Sequence, residues 1–409
     1  MKLAARAERI EPFYVMEVGK VAAELARSAA ARERPVLALN IGEPDFTAPP
    51  LVQEAAQRAV RDGATQYTPA LGLPELRERI SGWYRQRFGI EVPAHRIVVT
   101  AGASAALQLA CLALVDTGDE VLMPDPCYPC NRHFVTAAEG TPVLVPTTSG
   151  TRYQLSAERV RDRWSDATRG VLLASPSNPT GTSIASDELA RIHGFVRERG
   201  GITLLDEIYL GLSHDEAFGQ SGLALDDQVI AINSFSKYFC MTGWRLGWLV
   251  VPEALVPPIE RLAQNFFICP STVAQHAALA CFERGSILEY ERRRAQFKAR
   301  CEWLAPALER LGFHVPIRPD GAFYVWADAS AWFDRLGVRD SWDFVFELLR
   351  RTHVALTPGR DFGQAETARF VRFSAANSME NLQAAVARLE ALRDELTAAP
   401  EGATTTCRA

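Results

Sequence analysis

The chain has 409 residues, a formal net charge of −5 at pH 7 and a hydrophobic content of 48%. This length is enough to bury a large core in one or two domains. Lysine and arginine are scattered rather than massed, which argues against a nucleic-acid backbone or an anionic membrane surface as a partner. The composition therefore predicts a soluble globular protein that acts on small molecules.

The N-terminus and the cysteines favour a cytoplasmic protein. The first 20 residues mix charges into their apolar positions, unlike the unbroken apolar core of a secretory signal. No later stretch approaches the ~20 apolar residues needed to span a bilayer. Eight cysteines are too few and too irregular for a disulfide scaffold, and the C-x-x-C pair Cys127 and Cys130 has no second Cys or His pair at zinc spacing. We therefore expect no metal site.

Between residues 50 and 285, amphipathic helical stretches alternate with short apolar runs rich in β-branched residues. Such alternation predicts an α/β fold with a mostly parallel sheet covered by helices on both faces. Ligands bind beyond the carboxyl ends of strands in such sheets. Asn178, Asp206 and Ser234 each follow or end a run, so we expect the site there. The runs lie at 97–100, 121–124, 142–147, 171–175, 202–207 and 229–235.

After residue 285 the pattern changes to a long charged helix, two strand-like segments, GAFYVWAD and FVRFSAA, and a closing helix. This order predicts a smaller α+β domain. The final residues, EGATTTCRA, have the character of a loose tail. We therefore predict an N-terminal arm with part of the small domain, a large domain, the C-terminal small domain and a tail, over residues 1–48, 49–285, 286–398 and 399–409.

The densest chemical signal is SFSKYFCMTGWRLGW at 234–248. Lys237 lies there among aromatic residues, and removing an amine from water lowers its pKa. A neutral amine is the form that makes a Schiff base. The segment resembles the lysine motif of class I/II, fold-type I aminotransferases of the aspartate aminotransferase superfamily. Further motifs of that family follow in order over nearly the whole chain, from NIGEPDF at 40–46 to RFSAA at 372–376.

The resemblance implies a fold-type I architecture, with a mostly parallel seven-stranded sheet flanked by helices in the large domain. It also implies pyridoxal 5'-phosphate as the cofactor, bound to Lys237 as a Schiff base. Once substrate displaces it, the Lys237 amine would move a proton from the substrate Cα. Asp206, in LLDEIY, would keep the pyridine nitrogen protonated. Tyr209 and Asn178 would donate to the cofactor O3', whereas we interpret Glu207 as structural.

The segment TAGASAAL at 100–107 combines a strand, a turn of small residues and a helix start. That arrangement points free N–H groups and a positive dipole end at an anion. By resemblance, it forms the phosphate cradle with Ser234 and Arg245, and contributes Gly102, Ala103 and Ser104.

Two tyrosines complete the implied cofactor site. Tyr128, in DPCYPC, matches the aromatic residue that stacks over the pyridine face, although core packing is the alternative. Tyr67 matches the tyrosine that reaches the phosphate of the neighbouring subunit. The resemblance therefore implies a homodimer with shared active sites.

Substrate recognition is expected at Arg372, because a planar guanidinium binds an α-carboxylate with two hydrogen bonds. Asn178 would assist it, and Gly42 would let its backbone approach the same carboxylate. Cys240 departs from the family, which often has a small residue there. No second arginine for a side-chain carboxylate is identifiable, and the candidates for an apolar pocket, each also a candidate for core packing, are Phe13, Tyr14, Ile41, Phe266 and Phe267.

The leading functional hypothesis is reversible ping-pong transamination between an amino acid and a 2-oxo acid through pyridoxamine phosphate. The alternative is β-elimination from a sulfur amino acid, because the cofactor stabilises the same carbanion in both reactions. A ligand-sensing module of a transcription regulator is a third hypothesis. It would need an N-terminal DNA-binding domain, and only about 40 residues precede NIGEPDF.

Overall fold

The computed structural model describes residues 2–28 and 30–398. The predicted tail at 399–409 lies outside the described residues. Within that described part, none of the helices combines the length and the apolar content that crossing a membrane requires.

The strands form one large sheet and two small ones. The seven-stranded sheet has the order β2-β8-β7-β6-β5-β3-β4, in which β8 is antiparallel to both neighbours and the other pairs are parallel. The strands, in chain order, are β1 Leu37–Ala38, β2 Ile97–Thr100, β3 Glu120–Asp125, β4 Thr141–Pro146, β5 Thr168–Ala174, β6 Ile202–Asp206, β7 Ile230–Ser234, β8 Gly247–Val250, β9 Tyr324–Asp328, β10 Val354–Ala355, β11 Thr357–Pro358 and β12 Phe370–Ser374.

The helices cover the large sheet and continue into the C-terminal part. They are α1 Ala5–Arg9, α2 Tyr14–Ala26, α3 Ala30–Glu33, α4 Pro50–Arg61, α5 Pro74–Phe88, α6 Ala103–Leu114, α7 Pro129–Ala137, α8 Ala157–Arg163, α9 Ser186–Glu198, α10 Val256–Phe266, α11 Thr272–Leu279, α12 Arg284–Arg310, α13 Phe333–Leu336, α14 Ser341–Thr352 and α15 Met379–Ala398.

Both faces of the large sheet are buried, as the apolar runs predict. Along β5, Leu172 joins one hydrophobic cluster while Val171 and Leu173 join another. Successive side chains of a strand point to opposite faces, so each cluster lies on its own side of the sheet. Helix α6 packs on the first side and α9 on the second. The α/β fold with a mostly parallel seven-stranded sheet is therefore confirmed.

The C-terminal part contains an antiparallel sheet of order β11-β12-β9. The registry of β12 with β9 sets Arg372 opposite Trp326. The short strand β1 pairs in parallel with β10, so the segment before the large sheet returns to the C-terminal part. Side chains from both regions can therefore meet where the carboxyl ends of β5, β6 and β7 face the smaller sheet.

Candidate active site

A cleft of about 1000 Å³ lies at the carboxyl ends of β5, β6 and β7. The smaller sheet contributes side chains from β9 and β12, and helix α2 supplies one wall. Among the described residues, no cluster of three or more His, Cys, Asp or Glu is arranged to hold a metal ion. The cleft brings together these residues singled out in the sequence: Gly42, Ala103, Ser104, Tyr128, Asn178, Asp206, Tyr209, Ser234, Lys237, Arg245 and Arg372.

Lys237 follows β7 and directs its amine into the cleft, where Nζ donates a hydrogen bond to the carbonyl oxygen of Gly42. The amine lies 5.9 Å from the ring centroid of Tyr209. Burial and the positive charge of Arg372 lower the pKa of Lys237 from 10.5 to about 8. The fraction of this amine that is neutral near physiological pH is therefore far larger than for an ordinary lysine, and the neutral amine is the form that attacks a carbonyl carbon.

Asp206 ends β6, and its carboxylate is buried. Oδ1 accepts a hydrogen bond from the backbone N–H of Ile208 at 3.1 Å. Burial raises the pKa of Asp206 to about 6, although that N–H and the charge of Lys237 oppose the rise. A carboxylate with unused acceptor capacity in such a place gains free energy from a cationic N–H partner.

A small-residue turn and an arginine face each other at the start of α6. Gly102 precedes the helix with φ of +82°, and a Cβ there would lie 2.8 Å from Nη2 of Arg245. Arg245 itself has a left-handed backbone with φ of +51°, and its Nη1 donates to the Thr242 carbonyl at 2.9 Å. Non-glycine residues seldom adopt that conformation, and strain of this kind concentrates at functional sites. The free N–H groups of α6 and the guanidinium form an anion cradle.

Two serines lie beside this cradle. Ser234 Oγ donates to Ser236 Oγ at 2.9 Å, and the Ser236 backbone N–H donates back to Ser234 Oγ at 3.0 Å. Ser234 was predicted from its motif, whereas Ser236, which also lines the cleft, was not. The two hydroxyls therefore hold each other in the part of the chain that lines the cleft together with Arg245.

Arg372 is a buried cation whose recorded hydrogen bonds go to uncharged oxygens. Nη1 donates to Asn178 Oδ1 at 2.7 Å, and Nη2 donates to the Asn40 carbonyl at 2.7 Å and to Thr357 Oγ1 at 3.2 Å. Its Nε is buried and has no hydrogen-bond partner in the described structure. A buried arginine with an unused donor is arranged to receive an anion.

Tyr209 and Tyr324 are buried and share a hydrogen bond of 2.6 Å between their hydroxyl oxygens. Burial is the largest cause that raises the pKa of each phenol, so both keep their protons. The ring of Tyr324 also lies under the Arg372 guanidinium, with the Cζ atom 4.3 Å from the ring centroid. The strand that contains Tyr324 is predicted by the sequence, but the place of this side chain in the site is not.

Helix α2 forms a wall of the cleft next to Tyr128. The rings of Phe13 and Tyr128 meet edge to face, with centroids 6.1 Å apart. The carboxylate of Asp361 accepts the backbone N–H groups of Tyr14 at 3.1 Å and Val15 at 3.0 Å, which fixes the start of the helix. Asp361 was not singled out in the sequence, because its partner lies 346 residues away.

Other residues proposed from the sequence lie outside the lining of this cleft. Tyr67 is 79% exposed in the single chain. Tyr14 packs against Trp342 at 5.4 Å between ring centroids, and Phe267 packs on the cluster around α6. Phe266 is 56% exposed. Of the five apolar-pocket candidates, the cleft therefore contains Phe13 and Ile41.

Cys240 has a positive φ of +54° and is buried. A glycine adopts this left-handed conformation most readily, so a small side chain suits the position better than a large one. Cys127 and Cys130 are free thiols in the structure, the first buried and the second half-buried.

Comparison with known proteins gives a consistent result over nearly the full length. The family described as "Aminotransferase class I and II" matches residues 34–389. A valine--pyruvate aminotransferase of Mycobacterium tuberculosis is 38% identical over 382 residues, 93% of this chain and 96% of that protein. An aspartate aminotransferase of Geobacillus stearothermophilus is 32% identical over 393 residues, which cover 95% of this chain and 98% of that protein.

Solved structures agree with the sequence relatives. An aminotransferase from Mycobacterium tuberculosis has a TM-score of 0.91 at 37% identity, and covers 97% of this chain and 100% of its own. The aspartate aminotransferase from Thermus thermophilus with maleate has a TM-score of 0.88 at 31% identity, with 96% and 100% covered.

Proposed function

The chain belongs to the class I and II aminotransferases and is a transaminase, and from this premise we propose that it moves an amino group between an L-amino acid and a 2-oxo acid with pyridoxal 5'-phosphate held covalently on Lys237. The observation that carries the proposal is that the Lys237 amine and the buried Asp206 carboxylate face one cleft, close enough for their charges to interact. Bound there, the cofactor supplies an electron sink for the carbanion formed at the substrate Cα.

The residues of the cleft fit that cofactor. The unused acceptor capacity of Asp206 suits a protonated ring nitrogen. The cradle at Gly102, with Arg245 and Ser234, suits a phosphate, and a Cβ at residue 102 would fill space next to the guanidinium. Tyr128 is placed to cover an aromatic ring. The cleft therefore offers a partner for each of three groups: a cationic N–H, an anion and the face of a ring.

Each side chain then has a distinct task in catalysis. The α-carboxylate of the substrate binds Arg372, whose Nε is free to donate. Asn178 holds the guanidinium through Oδ1 and keeps its Nδ2 group free to donate to the cofactor O3', beside Tyr209. Lys237 Nζ would accept the proton from the substrate Cα and would be the group that returns it. The depressed pKa of Lys237 makes its amine a usable base near neutral pH.

We propose that the preferred amino acid has an apolar side chain. Phe13, just before helix α2, and Val15 and Met16 of the helix line the cleft. Met16 is 60% exposed. The remaining cation in the lining, Lys20, is 67% exposed and forms an ion pair with Glu17 at 2.7 Å. A side-chain carboxylate would therefore find no unengaged basic partner among the described lining residues. The relative from Mycobacterium tuberculosis is named for valine and pyruvate, which supports this choice.

The exposed Tyr67 supports a homodimer with shared active sites, in which the tyrosine of one protomer reaches the phosphate cradle of its partner. Phe266 and Ile268 are also exposed apolar residues, at 56% and 51%. Sedimentation velocity should give a dimer. Tyr67→Phe should weaken cofactor binding in the dimer, whereas a monomeric protein with full cofactor affinity would contradict this assembly.

We also propose that the seven-stranded sheet marks a large domain at residues 49–285 and the three-stranded sheet a small domain at 286–398, and that residues 1–48 form an N-terminal arm and part of the small domain. The pairing of β1 with β10 supports that assignment of the N-terminal segment, and α12 begins near the proposed boundary.

The covalent link is tested by reducing the loaded protein with borohydride and mapping the labelled peptide. Labelling should occur at Lys237 and disappear in Lys237→Ala, whereas Lys298→Ala, which removes a side chain that is 46% exposed, should load normally. A Lys237→Ala protein that still turned over at the normal rate would refute the mechanism.

The β-elimination alternative is separated by incubation with amino acid alone. A transaminase yields one equivalent of pyridoxamine phosphate per site, and a lyase yields pyruvate and ammonia catalytically. A screen of amino acids by loss of the visible cofactor band then tests the substrate class. Valine, leucine or methionine should react faster than aspartate and glutamate.

A further inference from the structure

Tyr324 touches two residues to which the proposed function gives different tasks. Its hydroxyl oxygen lies 2.6 Å from that of Tyr209, and its ring lies 4.3 Å from Cζ of Arg372. The side chain is fully buried at the start of β9. A Cβ at residue 42 would lie 2.6 Å from the Tyr324 hydroxyl, so the backbone of Gly42 confines it. One buried side chain therefore bridges the carboxylate-binding arginine and the phenol beside Lys237.

The direction of the hydrogen bond follows from the charge of Arg372. The guanidinium lies 4.3 Å over the ring of Tyr324. Burial raises the pKa of both phenols and the charge of Arg372 lowers both, but that charge is the largest cause after burial for Tyr324 and a lesser one for Tyr209. The more acidic of two paired hydroxyls is the better donor. The separation of 2.6 Å fits either hydroxyl as the donor, and the cation over the Tyr324 ring favours Tyr324 as donor, which leaves the Tyr209 proton for an acceptor in the cleft. Donors arranged in a chain strengthen one another, so the first hydrogen bond polarises the second.

We propose that Tyr324 is a positioning residue that couples Arg372 to Tyr209. When a carboxylate binds Arg372 and compensates its charge, the hydrogen bond that Tyr209 donates into the cleft becomes weaker. This inference rests on the proposed function, in which Tyr209 donates to the cofactor O3'. A bound carboxylate compensates the guanidinium charge and makes the Tyr324 hydroxyl a weaker donor. Tyr209 is then less polarised, and the oxygen that it faces becomes more basic.

The readout is the pH midpoint of the visible absorbance of the loaded protein, measured with and without isovalerate. Isovalerate has a carboxylate for Arg372 and no amino group, so it does not react. In the wild type, isovalerate should raise the midpoint. Tyr324→Phe keeps the ring under Arg372 but removes the hydroxyl, and should raise the midpoint by about half a pH unit without isovalerate. It should also reduce the shift that isovalerate causes to less than half.

A kinetic measurement separates this role from simple packing. Because the phenylalanine ring still supports Arg372, Tyr324→Phe should lower kcat more than it raises KM for the amino acid. Replacement of Tyr324 by 3,5-difluorotyrosine preserves the fold and makes the hydroxyl more acidic. The midpoint should then fall, opposite to the effect of phenylalanine, and this measurement decides the question if Tyr324→Phe does not fold.

The matched control is Tyr290→Phe, which removes the hydroxyl of another fully buried tyrosine that does not line the cleft and has no hydrogen-bond partner in the described structure. It should titrate like the wild type. An equal shift in Tyr290→Phe, or an unchanged isovalerate effect in Tyr324→Phe, would overturn the inference and leave the proposed function intact. A wild-type protein that acquires no visible band with pyridoxal 5'-phosphate would overturn the proposed function, and this inference with it.

Discussion

The amine of Lys237 should titrate far below an ordinary lysine in the cofactor-free protein. Its pKa is lowered from 10.5 to about 8 by burial, with the charge of Arg372 as the next cause. At pH 7.4 about 20% of the amine is then neutral, against about 0.1% for an unperturbed lysine, a difference of roughly 200-fold. This larger neutral fraction determines how readily the Lys237 amine reacts with an aldehyde at neutral pH.

Competitive labelling with trace acetic anhydride measures that titration directly. The label at each lysine is quantified by mass spectrometry between pH 6 and 11, with the exposed Lys298 as the reference amine in the same digest. Labelling of Lys237 should rise through about pH 8 and then level off.

Two substitutions should move this profile in opposite directions. Arg372→Met removes a positive charge and should shift the rise to higher pH, because the protonated amine is no longer repelled. Asp206→Asn removes a negative charge that favours the protonated amine, and should shift the rise to lower pH. Labelling of Lys237 that climbs in parallel with Lys298 up to pH 11, or two variants that shift the same way, would refute the electrostatic reasoning.

Three further predictions concern the arginine, the cradle and the fold. Arg372→Met should weaken binding of the amino acid by about 2 kcal/mol, or roughly 30-fold, in single-turnover half-reactions, because charged hydrogen bonds to the α-carboxylate are lost; an unchanged dissociation constant would contradict the assignment. Gly102→Ala should lower cofactor affinity at least tenfold by equilibrium dialysis, since the added Cβ would lie 2.8 Å from Arg245. The control is Gly118→Ala, which has a similar positive φ but open space around the Cβ and should bind the cofactor normally. Asp125→Ala should lower the melting temperature, because the amides of Gln364 and Ala365 lose their acceptor, which costs roughly 2–4 kcal/mol of folding free energy. The control is Asp187→Ala, at a side chain that is 72% exposed, which should melt like the wild type.

The large sheet could be read from the sequence because its signal is local. The predicted runs correspond to β2 to β7, and their buried alternation is visible without any long-range contact. Strand β8 was missed, since it has only four residues and its first two lie inside the segment that was interpreted for its chemistry. Strands β1 and β10 have two residues each, too few to leave a periodic pattern.

In the candidate site, too, the residues with a local sequence signal were predicted and those placed by long-range contacts were not. Asn178, Asp206 and Lys237 stand at or after strands, where the topology of an α/β sheet already places ligands. Tyr324 and Asp361 enter through contacts with residues far away in the chain, and sequence spacing carries no information about them. Tyr14 was a candidate for the pocket, but its angle around α2 turns its ring to Trp342. That angle depends on how the helix docks, which its own residues do not determine.

The anchoring of α2 has a consequence for how the chain matures. The ribosome makes this helix before any strand of the large sheet, but the Asp361 carboxylate that accepts the first amides of the helix is synthesised 346 residues later. Helix α2 also packs against β11 and α14, which are equally late. Contacts so distant in sequence form slowly. Helix α2 therefore leaves the exit tunnel early but packs late. Its apolar face stays exposed to water until nearly the whole polypeptide has been translated.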